Sequence, residues 1–153
     1  MEQLLEKLVK IKELLGRILI KLHLIGQIKQ HEPSAVSCRT SYYRQLAYIT
    51  LEAGTWLISG VATFPYNNTT GVRRAYVSNA TSNYDNVTTA PPAVANMLYQ
   101  QLPVTGAYQS FVHVGPMPIQ IISTTTYRLI GWQNSGSSTA VNVTGRIYAV
   151  RIV

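Results

Sequence analysis

The sequence predicts a mainly β protein in two parts: an N-terminal coiled-coil helix, then an antiparallel β-sandwich head. Three features of the chain predict it. Apolar residues near the N-terminus recur at alternating spacings of four and three. That seam ends before Pro33, and a proline does not continue a helix. Beyond it, apolar and polar residues alternate between clusters of Asn, Ser, Thr and Gly, which is the texture of strands and turns.

The seam consists of Leu4, Leu8, Ile11, Leu15, Ile18, Leu22 and Ile25. In a heptad, Leu8, Leu15 and Leu22 take position a, and Leu4, Ile11, Ile18 and Ile25 take position d. Leu at a with Ile at d disfavours two strands and favours three or four, so these seven residues are the expected trimerisation set. Leu5, Leu14, Leu19 and Ile28 widen the stripe, as a higher-order bundle requires. Glu6 with Lys10 and Glu13 with Arg17 are oriented favourably, each pair contributing about 0.3 kcal/mol. Gly16 and Gly26 each cost about 1 kcal/mol relative to Ala. The expected stalk is residues 1–32, with 33–44 as a linker and 45–153 as the head. At about 1.5 Å per residue the stalk is roughly 45 Å long. Two alternatives stay open: an amphipathic helix packed on its own head, and a helix lying on a membrane surface.

In the head, Trp56, Ile58, Gly60, Ala62 and Phe64 share one face of a strand, and Leu57 and Val61 the other. Further strands are expected at Gln45–Leu51, Val72–Ser78, Tyr108–Val114, Ile119–Ser123, Thr125–Trp132, Thr139–Thr144 and Ile147–Val153. Glu52-Ala53-Gly54 is a turn signal. The Asn67–Gly71 and Asn134–Ser138 clusters are expected to join hairpins. Ala90–Leu102, with Pro91-Pro92, reads as a long loop with one helical turn at Ala93–Leu98. Short strands at this spacing imply a sandwich or jelly roll.

The chain of 153 residues is 46% apolar but only 12% charged, so its surface is kept polar by neutral groups. Its net charge of +7 is spread out: residues 33–153 hold seven arginines, no lysine, and the acids Glu52 and Asp85. Arg73-Arg74 is the densest basic point there, too sparse for a phosphate-tracking groove, so no nucleic-acid partner is expected. Cys38 is the single cysteine: no intrachain disulfide forms, and a free thiol near the junction is expected to be inert, with approach to its own copies in a trimer left open as the alternative. No signal-peptide pattern and no membrane-inserting run is present.

Three blocks carry a resemblance. The first is Ile49-Thr50-Leu51-Glu52-Ala53-Gly54-Thr55-Trp56-Leu57-Ile58-Ser59-Gly60. The second is Trp132-Gln133-Asn134-Ser135-Gly136-Ser137-Ser138, and the third the closing strand Arg146–Val153. With them, residues 43–153 resemble the trimeric jelly-roll heads of complement-type and tumour-necrosis-factor-like architecture. Within that group they look most like head domains of bacteriophage tail-fibre and receptor-binding proteins. The resemblance implies a homotrimeric viral fibre protein on the virion surface, in a tail or capsid fibre. Its head would attach to a host glycan or protein, and its N-terminal helix to a virion anchoring protein. It implies no cofactor and transfers no binding residue. Two other readings stay open: a virion head fibre or decoration protein without a receptor pocket, and a cellular complement- or cytokine-like ligand.

Catalysis is not expected. His23 and His31 fall on the helix or its end, and His113 reads as a strand histidine with a local partner. Glu52 and Asp85 lie in turn-like contexts, whereas a glycosidase pair needs carboxyls about 5–9 Å apart. The glycosylation-type triplets at Asn67, Asn68, Asn79, Asn86 and Asn142 suit an Asn/Thr-rich surface. Tyr66, Tyr84 and Tyr99 sit among amide and hydroxyl residues in expected loops. A ring beside hydrogen-bonding groups is what saccharide recognition uses, so Tyr66, Asn67, Tyr84 and Asp85 are the candidate receptor contacts. The competing role for loop tyrosines is packing over the sandwich ends. Trp56 and Trp132, in strand contexts, are expected in the core or at an interface.

Overall fold

A computed structural model describes residues 2–65, 71–79, 85–88, 98–104, 109–135 and 140–152. Helix α1 (Glu2–Leu24) precedes strands β1 (Ile28–His31), β2 (Val36–Cys38), β3 (Tyr43–Leu51), β4 (Gly54–Phe64) and β5 (Gly71–Ser78). Then come β6 (Asp85–Val87), β7 (Leu98–Val104), β8 (Ser110–Ile121), β9 (Thr125–Ser135) and β10 (Val141–Arg151). They form two five-stranded sheets. The first has the order β1-β10-β4-β8, with β2 also paired to β10, and the second the order β6-β3-β9-β5-β7. The pairings are antiparallel, and the core lies between the sheets.

The alternation read from Thr55–Phe64 holds: Trp56, Ile58, Gly60, Ala62 and Phe64 are buried, while Leu57 and Val61 are half-buried. Trp56, Phe64 and Tyr127 are the largest core side chains, each contributing on the order of 2–3 kcal/mol by leaving water. Burial leaves no orphan donor on Trp56, whose Nε1 donates to the Glu52 carbonyl at 3.0 Å. Cys38 is fully buried, its carbonyl accepting from Gln133 Nε2 at 2.9 Å. Its thiol is enclosed within the head, the environment of the inert cysteine the sequence suggests.

The helix is shorter than expected, ending at Leu24 rather than residue 32. Gly26 adopts φ +81°, the left-handed C-terminal cap that glycine takes without strain. Its N–H donates to the Arg151 carbonyl at 2.7 Å, so the chain turns straight onto β10. Residues 28–31 join the first sheet as β1, and part of the expected linker forms β2. The head thus begins near residue 28, and β1 pairs with the strand that ends the chain.

Other expectations are corrected by topology. The Asn-rich and Ser-rich clusters do not join hairpins: β4 and β5 lie in different sheets, as do β9 and β10. Tyr108–Val114 and Ile119–Ser123 were expected separately, but Ser110–Ile121 is one strand, bulged where Gly115 and Pro116 together oppose Ser59. Thr139–Thr144 and Ile147–Val153 likewise merge in β10. Leu98–Val104 is a strand, not the end of a loop, because its backbone completes the edge beside β5. The helical turn expected at Ala93–Leu98 falls mostly outside the described residues.

Candidate functional site

Two surfaces of the described structure have functional geometry. The first begins on α1. Leu8, Ile11, Leu15 and Ile18 are 54%, 54%, 53% and 44% exposed, so the heptad seam is uncovered in the single chain. Among the described residues the helix does not pack on the sandwich, and the alternative of an amphipathic helix docked on its own head is not the arrangement they show. The side chains of Leu4 and Leu22 lie outside the description. Ile25 and Ile28, also exposed, carry the apolar surface from helix to sheet. There Ile28 aligns with Val150, Val150 with Leu57, and Leu57 with Pro118 across four strands. Tyr148 and Phe111 extend this outward face, 40% and 53% exposed. His113 stands on the same face, opposite Val61.

The second surface is the outward face of the other sheet. Along β9, Tyr127, Leu129, Gly131 and Gln133 are buried; the alternate positions Arg128, Ile130 and Trp132 turn outward. Register puts Trp132 between Tyr43 on β3 and Arg74 on β5, and Ile130 opposite Tyr76. The Arg74 guanidinium lies 4.4 Å from the Trp132 ring centroid, a cation–π contact of about 0.5–2 kcal/mol. Tyr43 meets Tyr76 edge-on at 5.7 Å and Trp132 at 6.0 Å. Tyr76 is hydrogen-bonded to both Tyr43 and Arg74. Burial foremost, then Tyr43, pushes the Tyr76 phenol well up, while Arg74 pulls it down. Tyr43 and Tyr76 are buried, whereas Trp132 and Arg74 are half-buried and meet solvent.

The Arg73-Arg74 pair splits between the two sides of the sheet. Arg73 is buried among core residues, hydrogen-bonded to Ser110 Oγ and 5.6 Å from the Phe64 ring centroid. Arg74 joins the outward cluster, and Arg128 shares its face opposite Tyr48 and Ser78. Among carboxylates with described side chains, Glu52 lies in the turn after β3 and Glu32 pairs with Arg146. Neither belongs to this face.

Of the expected receptor contacts, Tyr66, Asn67 and Tyr84 lie outside the described residues. Asp85 opens β6, its backbone aligned with Arg44. The next strand residue to align, Val87, sits beside Tyr43, so the segment after Tyr84 enters along the edge of the aromatic cluster. Tyr99, expected in a loop, lies in β7 with its backbone opposite Tyr76. Trp56 is core, while Trp132 belongs to the outward cluster. Parity along β9 separates Trp132 from the core in the sequence; its alignment with Tyr43 and Arg74 depends on strand pairing, which no local pattern encodes. Among the described residues no group of three or more His, Cys, Asp or Glu side chains gathers to hold a metal. No described helix is long and apolar enough to cross a membrane.

No protein-family model and no curated protein matches the sequence. Solved structures do match its fold. A chain of the infectious bursal disease virus particle superposes with a TM-score of 0.57 at 8% identity, covering 82% of this chain and 31% of that one. The head is a jelly-roll-like sandwich. The Gx strain of the same virus gives a TM-score of 0.53 at 13% identity, over 82% of this chain and 32% of the other. The globular domain of zebrafish complement 1qA protein gives 0.47 at 9% identity, over 84% of this chain and 98% of that domain. The chain spans about a third of the length of the viral chains it matches.

Proposed function

We infer that the chain is a viral fibre-type structural protein whose trimeric jelly-roll head attaches to a host surface receptor, a glycan before a protein. The observation that carries the reading is the uncovered apolar surface running from the heptad seam of α1 through Ile25 and Ile28 onto the outward face of the first sheet. Exposed contiguous apolar surface marks an interaction site, and here it begins on a heptad seam. Three copies about one axis cover it in full: the seams close into a coiled coil and the sheet faces turn toward one another. The stalk then keeps the heads at high effective concentration, which multiplies weak contacts with a repetitive cell surface.

The likeness of the jelly-roll head to chains of a viral particle supports a virion setting, at the surface of a tail or capsid fibre. A virion anchoring protein takes the N-terminal end of the stalk. The head binds and does not catalyse; neither nucleic acid nor membrane insertion belongs to its role. Tyr66, Asn67, Tyr84 and Asp85 remain the proposed loop contacts with the receptor.

Antibodies to the head, used in immuno-electron microscopy of virions, should label the particle surface. Purified protein should also adsorb to host cells. Labelling without adsorption is the result for a decoration protein, and absence of both overturns the virion reading.

A further inference from the structure

We propose that the grooves between neighbouring helices of the stalk are docking sites for an acidic amphipathic helix of the anchoring partner. The inference rests on the reading of the chain as a stalk-borne trimer and names the chemistry of what the stalk binds. In the heptad whose seam is Leu8, Ile11, Leu15 and Ile18, positions e are Leu5, Lys12 and Leu19, and positions b are Val9 and Gly16. Lys7 and Leu14 take g, and Lys10 and Arg17 take c. A trimer closes a and d; e and b of one helix then line a groove whose other wall is g and c of the next. Leu5, Val9, Leu14 and Leu19 are exposed on the single chain, and position b faces away from the trimer axis, so closing the seam leaves apolar surface uncovered. From Leu5 to Leu19 the groove floor runs roughly 21 Å, the length of about four turns of a second helix. Gly16 lies within it, with no described atom within 4 Å of where a Cβ would stand. Nothing in its own chain requires a glycine there, whereas a backbone lying close in the groove would.

Charge selects the occupant. Between Leu5 and Leu19 the e, b, g and c positions hold Lys7, Lys10, Lys12 and Arg17 and no acid. Glu6 precedes Lys10 by four residues and Glu13 precedes Arg17 by four, so the two c cations have partners on their own helix. Lys7 and Lys12 have none there: no Asp or Glu stands three or four residues from either. In a parallel trimer the g residue of one helix faces the e residue five places on in the next, which sets Lys7 against Lys12 in every groove. Like charges so placed weaken the bare stalk, and acids entering the groove relieve them. A lipid surface fits less well. A flat anionic bilayer meets the outer crest of the stalk first, at position f, where Glu6 and Glu13 stand exposed. A helix with an apolar stripe flanked by Glu reaches both the floor and the lysines.

The test uses the intact chain and two synthetic helical peptides of about 18 residues, long enough to span the groove. They share one Leu stripe; one is flanked by Glu and the other by Lys, and phosphatidylglycerol vesicles are the lipid probe. Fluorescence anisotropy reads binding, and sedimentation of the same samples reads assembly. The expected result is a trimer that takes one Glu peptide per chain, roughly tenfold or more tightly than the Lys peptide or the vesicles. Lys12→Glu should weaken the Glu peptide roughly tenfold and, by pairing with Lys7 of the next chain, raise the melting temperature of the stalk. Arg39→Glu, an equal charge change at an exposed head site after β2, should leave binding intact. Gly16→Leu should block the Glu peptide at unchanged trimer mass, because its side chain fills the groove and not the seam. No binding of the Glu peptide, equal binding of both peptides, or equal losses in Lys12→Glu and Arg39→Glu would overturn the docking site. Vesicles bound more tightly than either peptide overturn it in favour of a lipid surface, and undiminished binding in Gly16→Leu places the peptide outside the groove. In each of these cases a trimer mass leaves the fibre reading standing, whereas a monomer or dimer mass brings down both.

Discussion

Leu46 of β3 lies directly over Gly145 of β10 in the opposite sheet: a methyl group built on Gly145 would sit 2.5 Å from Leu46 Cβ. Leu46 reaches that position because β3 carries a bulge. Gln45 pairs with Ile130 and Ala47 with Leu129, leaving Leu46 as the extra residue directed into the core. Gly131 makes room for the same side chain from the neighbouring strand, its virtual Cβ falling 2.8 Å from Leu46 Cδ1. The two sheets approach closely here because the glycines leave space for a leucine that the bulge supplies.

Gly145→Ala should therefore destabilise the head by about 1–3 kcal/mol or more through overpacking, as read by urea unfolding. Gly131→Ala should cost a similar amount for a different reason. Its clash is with the outer carbons of Leu46, which Leu46→Ala removes, whereas the clash at Gly145 is with Leu46 Cβ, which Leu46→Ala retains. A double-mutant cycle should show strong favourable coupling of Leu46→Ala with Gly131→Ala and weaker coupling with Gly145→Ala. Equal coupling in both cycles would mean that the bulge does not place Leu46 as described.

Ile18→Asp tests the stalk. In three chains the substitution brings three carboxylates to one axis, at a cost of several kcal/mol per trimer, on the order of 3 or more. The far-UV helical signal should melt well below that of the unmodified protein while the head, with its separate core, keeps its own transition. An unchanged stalk transition would mean that Ile18 does not face other helices.

Cys38 supplies a pH test. Burial foremost pushes its thiol up to about 11, against Arg44 and a hydrogen bond involving Gln133 that pull it down. An unfolded cysteine titrates near ~8.5. The folded value is raised, so the stability this neutral thiol contributes is complete below the unfolded value and is lost as pH rises through about 9 to 11. The loss is on the order of 3 kcal/mol by pH ~11. Unfolding free energies of the unmodified protein and Cys38→Ala should converge over that window, and a thiol reagent at pH ~8 should leave the native protein unlabelled. A constant difference between the two proteins would place the thiol in contact with water.

What was legible in the sequence follows from the reach of each signal. The burial of Trp56, Ile58, Ala62 and Phe64 is written in a period-two pattern, and the heptad residues of α1 in a period near three and a half; both are local. β1 was hidden because Ile28 follows Ile25 by three and so extends the helical stripe, although Gly26 between them marks the cap. β7 was hidden because Pro103 and the preceding prolines argue against a strand, yet an edge strand tolerates a proline. The hairpin expectations failed because turn residues mark where the chain reverses but not which sheet it enters. The Tyr43–Trp132–Arg74 row is the same difficulty at the level of the site: three residues from distant strands meet through register, while attention to rings flanked by amides selects loops.

The central claim, that the uncovered seam and sheet face belong to a self-assembled fibre, is tested most directly by sedimentation equilibrium of the intact chain at micromolar concentration. The account predicts a single species of three times the 17.0 kDa chain mass. A monomer or dimer mass would contradict it.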